Sequence, residues 1–419
     1  MGDHKGYAPT RITEPSNSRT HEPLIMTPII STASRLGNVE EYYFSTKLKQ
    51  IARLRAEGKN VLNLGIGSPD LPPSEATIDA LLESARRSDS HAYQSYQGIP
   101  ELRRAFADWY WQYFGVRLNP DHEILPLIGS KEGIMHISMS YLEAGDEVLV
   151  PNPGYPTYRS VSLLTGATVR DYDLIEARHW QPDLDALAAQ DLSKVKIMWV
   201  NYPNMPTGAQ ADKGFFKDLI AFAKQQQILI VNDNPYTFIL NENPMSLLDI
   251  PGAMDVALEL NSLSKAHNMA GWRVGMLAGA AEYLEPVVRF KSNMDSGMFK
   301  PIQVAAVKAL QNPPSWYEGL NDIYRARRKE VFKLLDLLEC NYDSAQVGMF
   351  VWAKIPDYYA DGYSLSDAIL DATQVFITPG GIFGTQGNGY VRVSLCSEAK
   401  VFQEATTRIA SYKALQPFS

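Results

Sequence analysis

Two cations lie close together in an otherwise apolar stretch of the sequence. "NSLSKAHNMAGWRVG" covers residues 261–275, and within it Lys265 lies eight residues before Arg273. Upstream, the apolar run "ILIVND" (228–233) ends in Asp233, and Tyr236 follows three residues later. A lysine amine is a nucleophile when it is neutral, and an arginine binds anions through a planar fork of donors. These residues could therefore form a reactive site, provided that the fold brings them together.

Short apolar runs alternate with amphipathic stretches from about residue 61 onward. Six of these runs read as buried strands: "HEILPLI" (122–128), "DEVLVP" (146–151), "TVRDYDL" (168–174), "KIMWVN" (196–201), "ILIVND" (228–233) and "VALELNSL" (256–263). "KDLIAFAKQQQ" (217–227) has helical spacing and lies between two of them. This alternation predicts a largely parallel sheet that is covered by helices.

A seventh run, "WRVGMLAG" (272–279), follows the sixth after about eight residues. A parallel crossover needs a dozen residues or more, so this strand is predicted to run antiparallel. The Lys265 loop is then the tight connection that leads into it.

The C-terminal part of the chain has a different texture. The long helical stretch "YRARRKEVFKLLDLLE" (324–339) is followed by the strand-like runs "GMFVWAKI" and "GYVRVSLC". We expect an α/β fold: a three-layer α/β/α large domain with a seven-stranded, mostly parallel sheet, and a smaller α+β domain. The predicted divisions are a flexible leader (1–25), an N-terminal arm that forms part of the small domain (26–60), the large domain (61–299) and the small C-terminal domain (300–419).

Strand ends place the candidate residues near one another. In open α/β sheets the ligand crevice lies at the carboxyl ends of the strands, and both Asp233 and the loop to Lys265 leave strands there. Taken singly, an aspartate at a strand end is more often a cap or turn residue, and a lysine is more often solvated. The joint occurrence of Asp233, Tyr236, Lys265 and Arg273 favours a functional site.

This constellation resembles the site of class I/II aminotransferases, which are fold-type I enzymes that use pyridoxal 5′-phosphate. The family motif S-x-x-K-x-x-x-x-x-G-x-R-x-G corresponds here to Ser262, Lys265, Gly271, Arg273 and Gly275. The resemblance extends over nearly the whole chain from about residue 40. It implies that residues 61–299 bind the cofactor and that Lys265 forms a Schiff base with it.

The resemblance also implies a role for each residue of the constellation. Lys265 would shuttle the substrate α-proton, and low exposure together with Arg273 would lower its pKa. Asp233 would keep the pyridine nitrogen protonated, and Tyr236 would hydrogen-bond the phenolic oxygen. Ser262 and Arg273 would bind the phosphate.

Further segments match the family residue by residue. "GSKEGI" (129–134) opens a helix whose N–H groups at Ser130 and Lys131 would bind the phosphate, although Gly-Ser-Lys alone is commonly just a turn. Tyr155 in "PNPGYPTY" (151–158) would stack on the pyridine ring, or else be an aromatic core residue. Tyr93 in "HAYQSYQGIPELRRAF" (91–106) would reach the phosphate of the neighbouring subunit's cofactor, which implies a homodimer with shared active sites.

Two residues are expected to bind the substrate carboxylate. Gly67 lies in "LGIGSPDLPPS" (64–74), which resembles the family's substrate-side glycine turn. Arg392 in "YVRVSL" corresponds to the arginine that grips the α-carboxylate, although a strand arginine is otherwise usually a surface residue.

One departure from the family pattern concerns N-P-T-G. Its asparagine, which contacts the cofactor's phenolic oxygen and the substrate carboxylate, is replaced by Met205 in "NYPNMPTG" (201–208). Asn204 could substitute for it if the backbone shifts; otherwise the contact is missing and Tyr236 holds the oxygen alone. A thioether donates no hydrogen bond.

"RFKSNMDSGMFKP" (289–301) resembles the branch that contains LL-diaminopimelate and alanine aminotransferases. There Asn293 or Ser296 could contact the substrate or the neighbouring phosphate. Because no second arginine matches the one that binds an acidic side chain, we favour alanine, glutamate, methionine or a diaminopimelate-like substrate over a dicarboxylate.

Composition excludes several classes of protein. The net charge of −8 comes without a basic stripe, which argues against nucleic acid as a partner. No window approaches 18 uninterrupted apolar residues, so no membrane span is expected. Cys340 and Cys396 are predicted to be buried thiols in a cytoplasmic protein, and we assign no metal ligands.

Three functions remain open at this point. The first is transamination between an L-amino acid and a 2-oxo acid by a ping-pong mechanism. The second is another pyridoxal phosphate reaction on the same scaffold, such as the elimination of a C–S lyase or a decarboxylation. The third is a non-enzymatic binding protein, which the retained Lys265 and the lack of a DNA-binding extension disfavour. We favour transamination.

Overall fold

The computed structural model of the protein describes residues 29–39 and 43–415. The predicted leader, residues 1–25, lies outside the described residues.

Strands and helices alternate over part of the described chain. The strands are β1 (Leu62–Asn63), β2 (Ile124–Leu127), β3 (Glu147–Asn152), β4 (Thr168–Asp173), β5 (Val195–Val200), β6 (Leu229–Asp233), β7 (Ala257–Ser262), β8 (Gly275–Gly279), β9 (Phe350–Lys354), β10 (Val375–Phe376), β11 (Thr378–Pro379) and β12 (Tyr390–Ser394). The helices are α1 (Tyr43–Ala56), α2 (Glu75–Ala85), α3 (Pro100–Phe114), α4 (Ser130–Tyr141), α5 (Pro156–Thr165), α6 (Leu184–Ala188), α7 (Lys213–Gln226), α8 (Ala281–Lys291), α9 (Lys300–Leu310), α10 (Pro314–Leu337), α11 (Gly362–Thr373) and α12 (Ala399–Leu415).

A seven-stranded sheet forms the centre of the molecule, in the order β2-β8-β7-β6-β5-β3-β4. Strands β4, β3, β5, β6 and β7 pair in parallel, whereas β8 is antiparallel to both β7 and β2. The predicted α/β fold is therefore confirmed, together with the reversal of the last strand.

Both faces of this sheet are buried. Alternate side chains of β5 enter two different apolar clusters: Met198 and Val200 join one, and Ile197 and Trp199 join the other. Because successive side chains of a strand point to opposite faces, the two clusters lie on the two sides of the sheet. Strands buried on both faces need the continuous apolar runs that the sequence shows.

The C-terminal part contains a three-stranded antiparallel sheet in the order β11-β12-β9, and β1 pairs in parallel with β10. Helix α1 packs against this part through Ile51, which shares a cluster with Leu370 and Phe376. We propose that the large and small domains divide between residues 299 and 300.

Two further findings concern membranes and thiols. Within residues 29–39 and 43–415, no helix is both long and apolar enough to cross a bilayer. Cys340 and Cys396 are buried free thiols, as predicted.

Candidate active site

A cavity of about 510 Å³ opens at the carboxyl ends of the parallel strands. It brings together residues from the sheet edge, from the N-terminus of α4, from the 64–74 loop and from β12. Most of the predicted site residues line it: Gly67, Ser130, Lys131, Tyr155, Asp233, Tyr236, Ser262, Lys265, Arg273 and Arg392.

Lys265 projects into this cavity from the loop after β7. Its Nζ donates a hydrogen bond to the Gly67 carbonyl oxygen at 2.9 Å and lies 5.9 Å from the centroid of the Tyr236 ring. Burial is the main cause that lowers the pKa of Lys265. Arg392 and Arg273 lower this pKa further, against the opposing effect of Cys396 and Asp233. The side chain is therefore an amine that is more readily neutral than a solvated lysine.

Asp233 is the last residue of β6 and is buried below the cavity. Its Oδ2 accepts a hydrogen bond from the Tyr158 hydroxyl at 2.8 Å, and the Tyr158 ring stacks on Trp199. Burial raises the pKa of Asp233 to about 6, although the Tyr158 hydrogen bond and the Lys265 charge oppose the shift. Among the described residues, the buried Oδ1 has no hydrogen-bond partner. A cationic donor at Oδ1 would satisfy this oxygen and lower the pKa.

The N-terminus of α4 lies at one end of the cavity, and a helix N-terminus is suited to an anion. The helix begins at Ser130 after Gly129, whose φ of 79° lies in the left-handed region. A Cβ on Gly129 would lie 2.1 Å from Nη2 of Arg273, so glycine is needed for the guanidinium to approach the helix end. Arg273 is held there by the Ala270 carbonyl oxygen and by Ser264 Oγ, at 2.9 Å and 3.2 Å from Nη1.

Ser264 is a site residue that the sequence reasoning missed. It lines the cavity beside Ser262, whose Oγ accepts a hydrogen bond from the Ser264 backbone N–H at 3.1 Å. In the sequence, its position directly before Lys265 could have indicated that Ser264 lies in the cavity. Ser45 and Leu48 of α1 also line the cavity and were not expected there.

Arg392 forms a second cationic end of the cavity and is 3% exposed. Its guanidinium carbon lies 3.9 Å from the centroid of the Phe350 ring and 4.6 Å from that of Phe383. Its Nη2 donates to the Gly65 carbonyl oxygen at 2.8 Å, and its Nη1 lies 3.2 Å from Met205 Sδ.

The structure does not bring Asn204 to the cavity. Its Oδ1 accepts from the hydroxyl of Thr207 at 2.7 Å and so closes the turn in which both residues lie. Met205 lines the cavity, together with Asn201. The Asn201 carboxamide accepts from the Met205 N–H at 2.7 Å and donates to the Asp233 carbonyl oxygen, and therefore ties two walls of the cavity together.

Two further candidates lie outside the cavity of this chain. Asn293 is exposed and donates to the Arg289 carbonyl oxygen at 2.9 Å, because the end of α8 turns it towards solvent. Tyr93 is 89% exposed. The predicted contact of Tyr93 is with a second subunit, so it remains a prediction.

The arrangement supports chemistry on a doubly anionic reaction partner. The Lys265 amine, whose pKa is lowered by burial, shares one cavity with the α4 N-terminus, with the guanidinium groups of Arg273 and Arg392, and with the buried Asp233 carboxylate. The fold is that of a fold-type I enzyme, and the chain belongs to the class I and II aminotransferase family, whose family model matches residues 59–409. The protein is thus an aminotransferase.

Relatives with named activities cover nearly the whole chain. An LL-diaminopimelate aminotransferase of Dehalococcoides mccartyi is 40% identical over 383 residues, which are 91% of this chain and 98% of the relative. The enzyme of the same name from Oleidesulfovibrio alaskensis is 40% identical over 385 residues, 90% of this chain and 98% of the relative.

Solved structures agree in fold. Substrate-bound BacF from Bacillus subtilis superposes with a TM-score of 0.87 at 34% identity, covering 91% of this chain and 98% of BacF. A probable N-succinyldiaminopimelate aminotransferase from Thermus thermophilus gives a TM-score of 0.83 at 30% identity, covering 88% and 99% of the two chains.

Proposed function

We propose that the protein uses pyridoxal 5′-phosphate, bound through Lys265, to move an amino group from an L-amino acid to a 2-oxo acid by a ping-pong mechanism. The observation that carries this proposal is the Lys265 amine in one cavity with Asp233 and two guanidinium groups. When bound, the cofactor supplies an electron-withdrawing ring and carries the amino group between the two substrates.

The residues present fit this cofactor. The buried Oδ1 of Asp233 needs a donor, and a protonated ring nitrogen is one. The opposite end offers the N–H groups of Ser130 and Lys131 with the Arg273 guanidinium, a set that suits a phosphate dianion. Tyr155 also lines the cavity, where an aromatic ring can cover a ring face.

The remaining residues act on the substrate. Lys265 would be the base that takes the α-proton and returns it, and the lowering of its pKa by burial favours the neutral amine that this role needs. Arg392 binds the substrate carboxylate, and the Phe350 and Phe383 rings that pack against its guanidinium hold this group in place. The Gly67 carbonyl oxygen orients Lys265 before the reaction.

The first experiment is an absorbance spectrum of the purified holoenzyme, recorded before and after single amino acids are added without an oxo acid. The panel contains L-alanine, L-glutamate, L-methionine and LL-diaminopimelate, the last because it gives the relatives their name. Conversion of the band near ~420 nm to a shorter-wavelength pyridoxamine band is expected, and the fastest amino acid identifies the donor. A persistent band with accumulating pyruvate or ammonia would indicate elimination instead, and no band after added cofactor would contradict the proposal.

We also propose that the enzyme works as a cytoplasmic homodimer. Tyr93, Met294 and Phe299 have exposed side chains, and this exposed apolar surface supports a subunit contact. Two free thiols agree with a reducing compartment.

Replacement of Tyr93 by phenylalanine is expected to weaken cofactor retention in the dimer by about tenfold, because a hydroxyl donor to the neighbouring phosphate is lost. The dissociation constant of pyridoxal phosphate, measured by equilibrium dialysis, checks this. Tyr96→Phe is the matched control, since Tyr96 is also exposed but is assigned no phosphate contact. An active wild-type monomer at assay concentration would contradict the shared site.

Replacement of Arg392 by glutamine is expected to raise KM for amino acids and oxo acids alike by about 100-fold, because a desolvated charge pair with the carboxylate is lost. Glutamine retains a polar side chain between Phe350 and Phe383. Steady-state kinetics with both substrates varied give the two KM values. Wild-type KM values would show that another group binds the carboxylate.

A further inference from the structure

Two aromatic rings pack against the guanidinium of Arg392. The centroids of the Phe350 and Phe383 rings lie 3.9 Å and 4.6 Å from the guanidinium carbon. A carboxylate binds the N–H groups in the guanidinium plane, where a two-point contact is formed.

Met205 lies beside one of these N–H groups. Its Sδ lies 3.2 Å from Nη1 of Arg392, and the residue both lines the cavity and is 5% exposed. A thioether sulfur is a weak acceptor, whereas a carboxylate oxygen forms a charge-assisted hydrogen bond about twice as strong as a neutral one. Replacement of the Met205 sulfur by a substrate carboxylate oxygen at Nη1 is therefore favourable.

The backbone and the side chain of Met205 differ in freedom. The Met205 N–H is fixed by Asn201 Oδ1 at 2.7 Å, so the main chain stays in place. The unbranched side chain turns about three bonds and adapts to irregular spaces. The sulfur can therefore leave Nη1 while the wall of the cavity remains intact.

We propose that Met205 is a displaceable cover of the carboxylate site, and that its weak acceptor sulfur leaves the affinity of Arg392 for carboxylates nearly intact where a stronger acceptor would lower it. The proposal rests on the proposed function, in which Arg392 binds the substrate carboxylate. The sulfur shields Nη1 in the free enzyme and yields to the substrate at little cost. A stronger neutral acceptor at this position would satisfy Nη1 from within the protein and compete with the substrate.

The test uses two near-isosteric variants of the holoenzyme and propanoate, a carboxylate without an amino group. Met205→Gln places a carboxamide oxygen near Nη1, and we expect the dissociation constant of propanoate to rise about tenfold. Met205→Leu keeps the apolar volume without an acceptor, and we expect a change below about threefold. Binding is measured by calorimetric titration and by the rise in melting temperature with propanoate concentration.

Kinetics give an independent readout of the same variants. For Met205→Gln, KM for the amino acid is expected to rise about tenfold with kcat nearly unchanged, because competition at Nη1 acts on substrate binding. A purely structural lesion would instead lower kcat and the melting temperature of the propanoate-free protein. Methyl propanoate, which has no charge, serves as the control ligand and is expected to bind no variant.

The outcomes separate this inference from the function it rests on. Tighter or unchanged propanoate binding in Met205→Gln would overturn the cover, and so would a tenfold loss in Met205→Leu, which would mean that the sulfur itself positions the guanidinium. If propanoate binds wild-type protein and Arg392→Gln equally, Arg392 is not the carboxylate site. In that case the proposed role of Arg392 fails, independently of Met205.

Discussion

Lys265→Ala is expected to lose the cofactor band near ~420 nm and to lower kcat/KM by about 10⁴-fold or more. Both losses have one cause, since in the proposed function the same amine would bind the cofactor covalently and move the α-proton. The environment of Lys265 agrees with this double role. Its hydrogen bond to the Gly67 carbonyl oxygen orients the amine, and burial lowers its pKa.

Rescue by a small amine separates the two functions of Lys265. Methylamine added to the alanine variant can accept a proton in the space that the side chain vacates, without restoring covalent attachment. We expect partial recovery of turnover that increases with the fraction of neutral methylamine. Spectra and single-turnover rates of the variant provide the measurement, and a variant with a normal band and full activity would refute the assignment of Lys265.

Asp233→Asn is expected to lower kcat by about 10³-fold while the cofactor still binds, because a neutral amide no longer favours a protonated ring nitrogen. The substitution is close to isosteric, and the amide can still accept the Tyr158 hydroxyl hydrogen bond. The rate of the first half-reaction and the cofactor dissociation constant, measured separately, distinguish a catalytic loss from a binding loss. Full activity in the asparagine variant would assign the ring nitrogen to another partner.

The same variant has a signature in the stability of the cofactor-free protein. Burial raises the pKa of Asp233 from 3.8 to about 6 in the folded state, so the carboxyl group binds its proton more tightly folded than unfolded. Its contribution to stability is therefore complete below pH 3.8 and is lost as the pH rises to about 6. Denaturant titrations between these pH values are expected to show this loss in the cofactor-free wild type and a smaller one in Asp233→Asn.

Sequence reasoning predicted the parts of the site that follow from strand ends. Asp233 and the Lys265 loop lie where β6 and β7 end, and parallel strands bring such ends to one edge. The reversal of β8 followed from the short connection before it. Arg392 was recognisable only through the family resemblance, because its burial depends on Phe350 and Phe383, which lie elsewhere in the chain.

The sequence did not reveal which side chains of the 201–208 segment face the cavity, because this depends on the local path of the backbone. Asn204 and Met205 are neighbours, and only the path of the turn decides that the methionine faces the cavity while the asparagine binds Thr207. Asn201 was overlooked for the same reason. Ser45 and Leu48 reach the cavity because α1 packs against the small domain, a contact between segments about 320 residues apart in the chain, as between Lys47 and Asp367.

Lys265 and Arg392 both donate hydrogen bonds to backbone carbonyl oxygens of one short loop: Lys265 to that of Gly67 and Arg392 to that of Gly65. The acceptors are backbone carbonyl oxygens, so mutagenesis of charged or polar side chains would not detect these two contacts. The loop is instead constrained by size, since a Cβ at Gly65 would lie 2.4 Å from Thr378 Oγ1 and one at Gly67 would lie 2.2 Å from the Phe350 ring. Alanine at either glycine would therefore lower activity as the loss of a catalytic group does, although the substitution only fills the space next to Thr378 or Phe350. The two glycines of this loop must therefore stay unchanged when the enzyme is altered to accept another substrate. Substitutions that change substrate specificity are expected among the side chains around the loop.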